Sequence, residues 1–207
     1  MRRKQRFNSL FFAFIMFSGL LSVAWADDDM EKLKKEGEGI ISVRAEFTQK
    51  KHMKILARPL VSKGVVLFKR PKSVRWEYLE PVKSILLMDK GRVRRFIETD
   101  KGMEEDTGAG VQIMQFVLQE ITFWLSGNFD QSPNFSFTLL AGRTIVLQPK
   151  EKSFSEVIER IELKLSDIPG VMDRVTIFEN EGSYTEYTFK STKINTAIDD
   201  SLFRNMQ

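Results

Sequence analysis

The 207-residue chain has no cysteine, only one histidine and only six prolines. Without cysteine there is no disulfide framework, no thiolate nucleophile and no thiolate metal site. The same absence argues against a lipid-anchored lipoprotein, whose lipid would sit on an N-terminal cysteine. Stability must therefore come from the core alone. The lone His52 falls in a lysine-rich turn region, with no nucleophile elbow or other supporting motif around it. Metal-ligand spacings and glycine-rich phosphate loops are missing too. Carboxylates fall mostly in mixed charged runs such as Glu104-Glu105-Asp106, which read as solvated loops. A carboxylate pair assembled from distant strands stays open. The pattern points away from an enzyme, a metal centre and a bound cofactor.

What is present begins with a targeting segment. Arg2, Arg3, Lys4 and Arg6 form a basic head, residues 10–23 are almost wholly apolar, and Ala24-Trp25-Ala26 puts small residues where a signal peptidase reads. An uncleaved anchor is the alternative, but this apolar run is short of the roughly 20 residues that span a bilayer. The expectation is a cleavable signal over 1–26, cut between Ala26 and Asp27, and a single soluble domain over 27–207. Four of the 32 basic residues lie in the leader, so residues 27–207 carry 28 of each sign and no formal net charge. No basic stripe remains to argue for nucleic acid.

Residues 28–37, with Met30 and Leu33 three apart, read as a short amphipathic helix ended by Gly37 and Gly39. The period then changes to two. Val43, Ala45, Phe47 and Gln49 alternate with Arg44, Glu46 and Thr48; Val66 and Phe68 with Leu67 and Lys69; Val74, Trp76 and Tyr78 with Arg75 and Glu77. An apolar run over 85–88 leads into the turn Asp89-Lys90-Gly91, and 93–97 follows. Five strands in about 55 residues argue for a curling antiparallel meander. A second set is read at 135–140, 143–148, 157–165, 172–179 and 183–190. Its turns are Ala141-Gly142, Pro149, Pro169-Gly170 and Glu181-Gly182. The alternation implies one apolar and one polar face throughout.

Between the sets, residues 109–125 show no β alternation. Val111, Met114, Val117, Leu118, Ile121 and Leu125 share a helical stripe, while Ile113, Phe116 and Phe123 lie off it. A helix apolar around most of its circumference is buried on two sides. Either it is a fixed core element or it is a plug whose place another apolar object can take.

Two stretches resemble the LolA-type outer-membrane lipoprotein carriers. Arg44-Ala45-Glu46-Phe47-Thr48-Gln49-Lys50 is similar to the family's first-strand motif ending F-T-Q-K. Residues 62–91, reading SKGVVLFKRPKSVRWEYLEP and then SILLMDKG, resemble its G-x-L-x-x-K-R-P-x-x-x-x-W, a following proline and an apolar strand ending in D-G. Val146-Leu147-Gln148-Pro149-Lys150 resembles its later L-x-P-K. The resemblance implies an unclosed antiparallel β-barrel, mainly β, whose concave apolar face is covered by lid helices. It also implies a periplasmic, monomeric carrier with no cofactor. Such a carrier takes lipoproteins or another acylated lipid cargo from an inner-membrane ABC transporter and delivers them to an outer-membrane receptor. Phe47, Val66, Phe68, Val74 and Trp76 would line the sheet side of the cavity, opposite Met114, Val117, Leu118, Ile121 and Trp124. Arg70, the arginine of K-R-P, would bond lid backbone and hold the closed form; an edge-strand charge that deters aggregation is its alternative reading.

The chain departs from the pattern after Gly91, where Arg92, Arg94 and Arg95 surround Val93 and Phe96 in place of an aromatic pair. It also ends at Gln207, soon after Leu202-Phe203, without the extension some members carry, which fits a paralogue for a different acylated cargo. Two rivals from other classes remain: a periplasmic interaction or sensing module of the same shape that binds protein and no lipid, and an enzyme acting on envelope lipids or glycans.

Overall fold

The computed structural model describes residues 21–107, 110–179 and 182–206, with side chains described from residue 29 onward apart from 110–117 and 153. The basic head and most of the apolar run of the expected leader lie outside the described residues, and Ala26 and Asp27 are described as backbone only. The first element, α1 (Leu21–Glu38), continues the expected helix upstream through the expected cleavage site.

Eleven strands follow among the described residues. β1 (Ser42–His52), β2 (Leu60–Lys69), β3 (Ser73–Glu80), β4 (Ser84–Asp89), β5 (Arg92–Thr99) and β6 (Gly102–Asp106) form one meander. After α2 (Gly110–Leu125) come β7 (Phe135–Leu140), β8 (Thr144–Pro149), the short α3 (Lys152–Ser155), β9 (Ile158–Leu165), β10 (Met172–Glu179) and β11 (Tyr184–Ile194). All lie in one sheet, ordered β6-β5-β4-β3-β2-β1-β11-β10-β9-β8-β7. The two meanders join where β1 pairs antiparallel with β11, and β6 and β7 are left as free edges, so the sheet is an open half-barrel. The turn between β4 and β5 is tight because Lys90 and Gly91 both take positive φ, 50° and 88°, as a two-residue hairpin requires.

Two sequence expectations change. Glu104, Glu105 and Asp106 belong to the edge strand β6, not to a solvated loop: they pair with Ile97, Phe96 and Arg95 of β5. An acidic edge is a means of discouraging further pairing, and it hides the strand's alternation. The second change concerns the outer face, which is not polar throughout. Leu67, Ile85, Leu87 and Phe96 are buried there: Leu67 lies beneath the C-terminal segment, while Ile85, Leu87 and Phe96 form a separate cluster with Met103 of β6. Ile198 and Phe203 pack on Leu67, with Phe203 in the 3₁₀ turn Asp200–Phe203. Arg75, only 4% exposed, anchors the tail by donating to the carbonyls of Leu202 (3.1 Å), Asn205 (2.8 Å) and Met206 (3.2 Å). It also pairs with Glu77 at 2.7 Å. No helix among the described residues is long and apolar enough to cross a membrane.

Candidate functional site

The concave face is built by register. Val43, Ala45 and Phe47 of β1 stand opposite Phe68, Val66 and Gly64 of β2, which in turn face Val74, Trp76 and Tyr78 of β3. Because a strand sends alternate side chains to one face, each triplet continues the same apolar wall. Gly64 gives the wall its depth: a Cβ there would meet the Glu77 carbonyl oxygen at 2.0 Å and the Phe47 ring at 2.6 Å. Phe47 lies over it and contacts Trp76 (4.7 Å between centroids), Tyr78 (5.2 Å) and Tyr187 (6.1 Å).

Helix α2 lies on this wall. Leu118 joins the buried cluster of the first meander, Trp124 that of the second, and Ile121 packs against both. The helix therefore spans the junction, as its two-sided apolar pattern implies. Glu120, 1% exposed, faces away from the apolar wall and accepts from Ser132 Oγ (2.8 Å) and Asn134 Nδ2 (2.9 Å), tying α2 to the segment before β7. Helix α1 is held to the second meander by Arg143, which reaches both carboxylate oxygens of Glu36 at 3.3 and 2.5 Å, and by Lys34 with Asp130 at 2.8 Å.

The C-terminal ends of the two helices meet backbone to backbone. A Cβ on Gly37 would lie 2.4 Å from Gly127 Cα, and Gly127 itself has φ +73°. Helix C-termini leave carbonyls without intrahelical donors, and Arg70 supplies the donors here. Its Nη2 donates to Gly37 O (2.8 Å) and Ser126 O (3.2 Å), and its Nε donates to Ile40 O. One guanidinium thus joins β2 to the ends of both helices.

Between α2 and the wall is a cavity of about 110 Å³. Of the side chains expected to line it, Val66, Trp76, Leu118, Ile121 and Trp124 do. Phe47, Phe68 and Val74 belong to the same buried cluster but stand behind the lining, Phe68 and Val74 fully buried. The side chains of Met114 and Val117 lie outside the described residues. The second meander adds a wall of Met172, Val175, Ile177, Tyr187 and Phe189, for which the alternation of Thr185, Tyr187 and Phe189 is the signal in the sequence.

Polar atoms in the cavity are few. Tyr78 Oη donates to Gln49 Oε1 at 2.6 Å and lies 3.5 Å from Tyr187 Oη. Burial pushes both phenols up, Tyr187 well above its ordinary value. Trp76 Nε1 and Trp124 Nε1 are buried with no acceptor among the described residues. At the edge of the concave face Arg95 pairs with Asp106 at 3.0 Å, while Arg94 points to the other face and donates to the Arg204 carbonyl. His52 ends β1 instead of lying in a turn, stacked on Tyr184 at 4.2 Å.

Comparison with known proteins places this architecture. An outer-membrane lipoprotein carrier protein of Pseudoalteromonas translucida (strain TAC 125) is 20% identical over 191 residues, 91% of this chain and 88% of that one. Solved structures with a similar course of chain include a LolA superfamily protein of Nitrosomonas europaea (10% identity, 86% of this chain and 96% of that one, TM-score 0.42). An uncharacterized conserved protein of Thermus thermophilus (9%, 88% and 94%, 0.49) and the MucA/MucB complex of Pseudomonas aeruginosa (13%, 86% and 60%, 0.48) are further cases. The family model for the outer membrane lipoprotein carrier protein LolA matches residues 38–205, most of the chain. The protein therefore belongs to the LolA family.

Proposed function

We propose that the chain is a non-catalytic periplasmic carrier that shields the acyl chains of a lipoprotein, or of another acylated lipid, beneath α2 while they cross between membranes. On this reading the leader is removed between Ala26 and Asp27, and residues 27–207 form the single carrier domain. An inner-membrane ABC transporter is the donor and an outer-membrane receptor the acceptor. Val66, Trp76, Leu118, Ile121 and Trp124 contact the acyl chains, with Phe47, Phe68 and Val74 behind them and Met114 and Val117 on the same helix. Arg70 is the latch of the closed lid.

The observation that carries the reading is the apolar cavity under a helix whose end is tied down by one arginine. At about 110 Å³ it is smaller than the engineered cavities of about 150 Å³ that admit benzene. It therefore fits a closed state, and acyl chains enter only as α2 gives way. Three acyl chains hold about 45 methylenes, so exposing them to water would cost on the order of 35 kcal/mol at roughly 0.8 kcal/mol each. A covered route is what such a cargo needs. The indole N–H of Trp124, buried without an acceptor among the described residues, at a cost of about 1–3 kcal/mol, would find one in an ester carbonyl of that cargo.

Native mass spectrometry of the chain recovered from the periplasm without detergent tests this. One acylated molecule per chain is expected, and it is lost when Leu118 or Ile121 is replaced by glutamate in a variant that keeps its circular dichroism. An apo mass, together with no uptake of an apolar fluorescent probe, would sink the carrier reading and leave a filled core with a protein-binding role.

A further inference from the structure

Among the described residues, six of the eleven large apolar side chains left exposed gather at one end of the sheet. They are Ile55, Leu56, Leu60, Val61, Leu79 and Val82. Ile55 and Leu56 sit at the tip of the β1–β2 connection, Ile55 85% exposed, and Val82 lies in the β3–β4 turn beside it. Register makes the two connections neighbours: Lys51 faces Leu60, Lys50 faces Val61, and Lys63 faces Glu80. Nothing among the described residues covers this cluster.

The charges around it are of one sign in excess. Lys63, Lys83 and Lys51 are matched by Glu80 (3.0 Å), Glu98 (3.9 Å) and Glu179 (3.4 Å). Lys50, Lys54 and Arg58 have no ion-pair partner among the described residues, and all three are exposed. Among the described residues, three cations without an ion pair thus flank an aliphatic tip, on a chain whose residues 27–207 carry no net charge overall.

We propose that this end docks on the surface of a bilayer bearing anionic headgroups. The aliphatic tip enters the headgroup boundary while the flexible lysine and arginine side chains stay at phosphate level. A protein partner is the less suitable occupant. Protein interface centres are rich in aromatics and poor in lysine, whereas the six exposed side chains include no aromatic and lysines surround them. Tyr78 and Tyr187, which line the cavity, and Gln49 beside them lie at the same end of their strands. Docking would therefore bring that end of the cavity to the membrane. The proposal stands on this surface and not on the carrier reading; if both hold, it gives the face from which acyl chains pass into lipid.

Vesicle flotation with the chain recovered from the periplasm is the test. Binding is expected to vesicles of phosphatidylcholine mixed with phosphatidylglycerol, to fall steeply with added salt, and to be absent for phosphatidylcholine alone. Lys54→Gln with Arg58→Gln is expected to weaken it about 25-fold, roughly fivefold per cation near an anionic surface. Ile55→Ser with Leu56→Ser is expected to abolish it and leave thermal unfolding unchanged, since both residues are exposed. No binding to the mixed vesicles, equal binding to both vesicle types, or unaltered binding by both variants overturns the proposal. Variants that float normally yet lose transfer to a protein acceptor would assign the face to that acceptor and also overturn it. Cargo bound in the cavity is read by mass and docking by flotation, so either reading can fail alone.

Discussion

Replacing Arg70 by leucine removes three donors at once, but the three bonds do different work. Those to Gly37 O and Ile40 O hold the end of α1, and the bond to Ser126 O holds the end of α2. A hydrogen bond from a charged donor contributes about 1.5–3 kcal/mol, so loss of the Ser126 bond should raise the open population of α2 by about 10- to 150-fold. Hydrogen exchange under native conditions reads this directly. Amides over 118–125 should lose protection by that factor, while those in the β1–β11 pairing, which reports the central sheet, should change less. Arg70→Lys should fall between, because one ammonium lacks the planar fork that reaches two helix ends. Protection of α2 that stays level with the wild type, or that falls only in step with β1 and β11, would refute the latch and return Arg70 to a general stabilising role.

Three further outcomes follow from the same geometry. Gly37→Ala should lower stability by about 1–3 kcal/mol through overpacking, because its Cβ would meet Gly127 Cα at 2.4 Å; a thermal midpoint matching the wild type would mean the helix ends do not touch. Glu120→Ala should cost about 1–3 kcal/mol and loosen α2, since Ser132 Oγ and Asn134 Nδ2 both lose their acceptor; denaturant titration with an unshifted midpoint would discount the anchor. The raised phenol of Tyr187, caused first by burial and then by Tyr78, means the folded chain keeps its proton after the unfolded chain has lost it. This contribution is therefore intact below about pH 10 and is lost as pH rises beyond it. Tyr78→Phe with Tyr187→Phe should flatten that alkaline decline in denaturant midpoint, and an unchanged slope would show that neither phenol controls it.

The parts of the site that were legible in the sequence are those written in local periods. Val66 and Trp76 lie where period two puts them, and Leu118 and Ile121 where period 3.6 does. Phe123, off the main stripe, still packs on the second cluster, as a helix buried on two sides requires. What stayed hidden depends on long separations in the chain. Nothing near Leu67 announces that residues beyond 197 will cover it, and the charge of Arg75 reads as a surface position until the tail carbonyls it serves are in place. The Tyr78–Tyr187 contact joins residues 109 apart, so the polar spot of the cavity exists only after β1 and β11 have paired.

The energetics of the lid bear on which step needs outside work. Lifting α2 withdraws Leu118, Ile121, Trp124 and Leu125 from the cavity they line, at about 1.5–3 kcal/mol for each side chain exposed, or about 6–12 kcal/mol in all. Acyl chains leaving a bilayer for an apolar cavity exchange one apolar medium for another, so their transfer offsets little of this. On the carrier reading, loading is uphill by the Arg70 bonds and by those lid contacts that the acyl chains do not restore. Unloading into a second apolar medium recovers the same amount as α2 closes. The chain then stores during transit what the donor supplied, and direction follows from where that work is done. A tighter latch is consequently no route to a better carrier: each added bond at Gly37, Ile40 or Ser126 favours release and burdens loading equally. The modest hold of a single arginine, strong enough to close the empty cavity and weak enough to be overridden, is what such a cycle calls for.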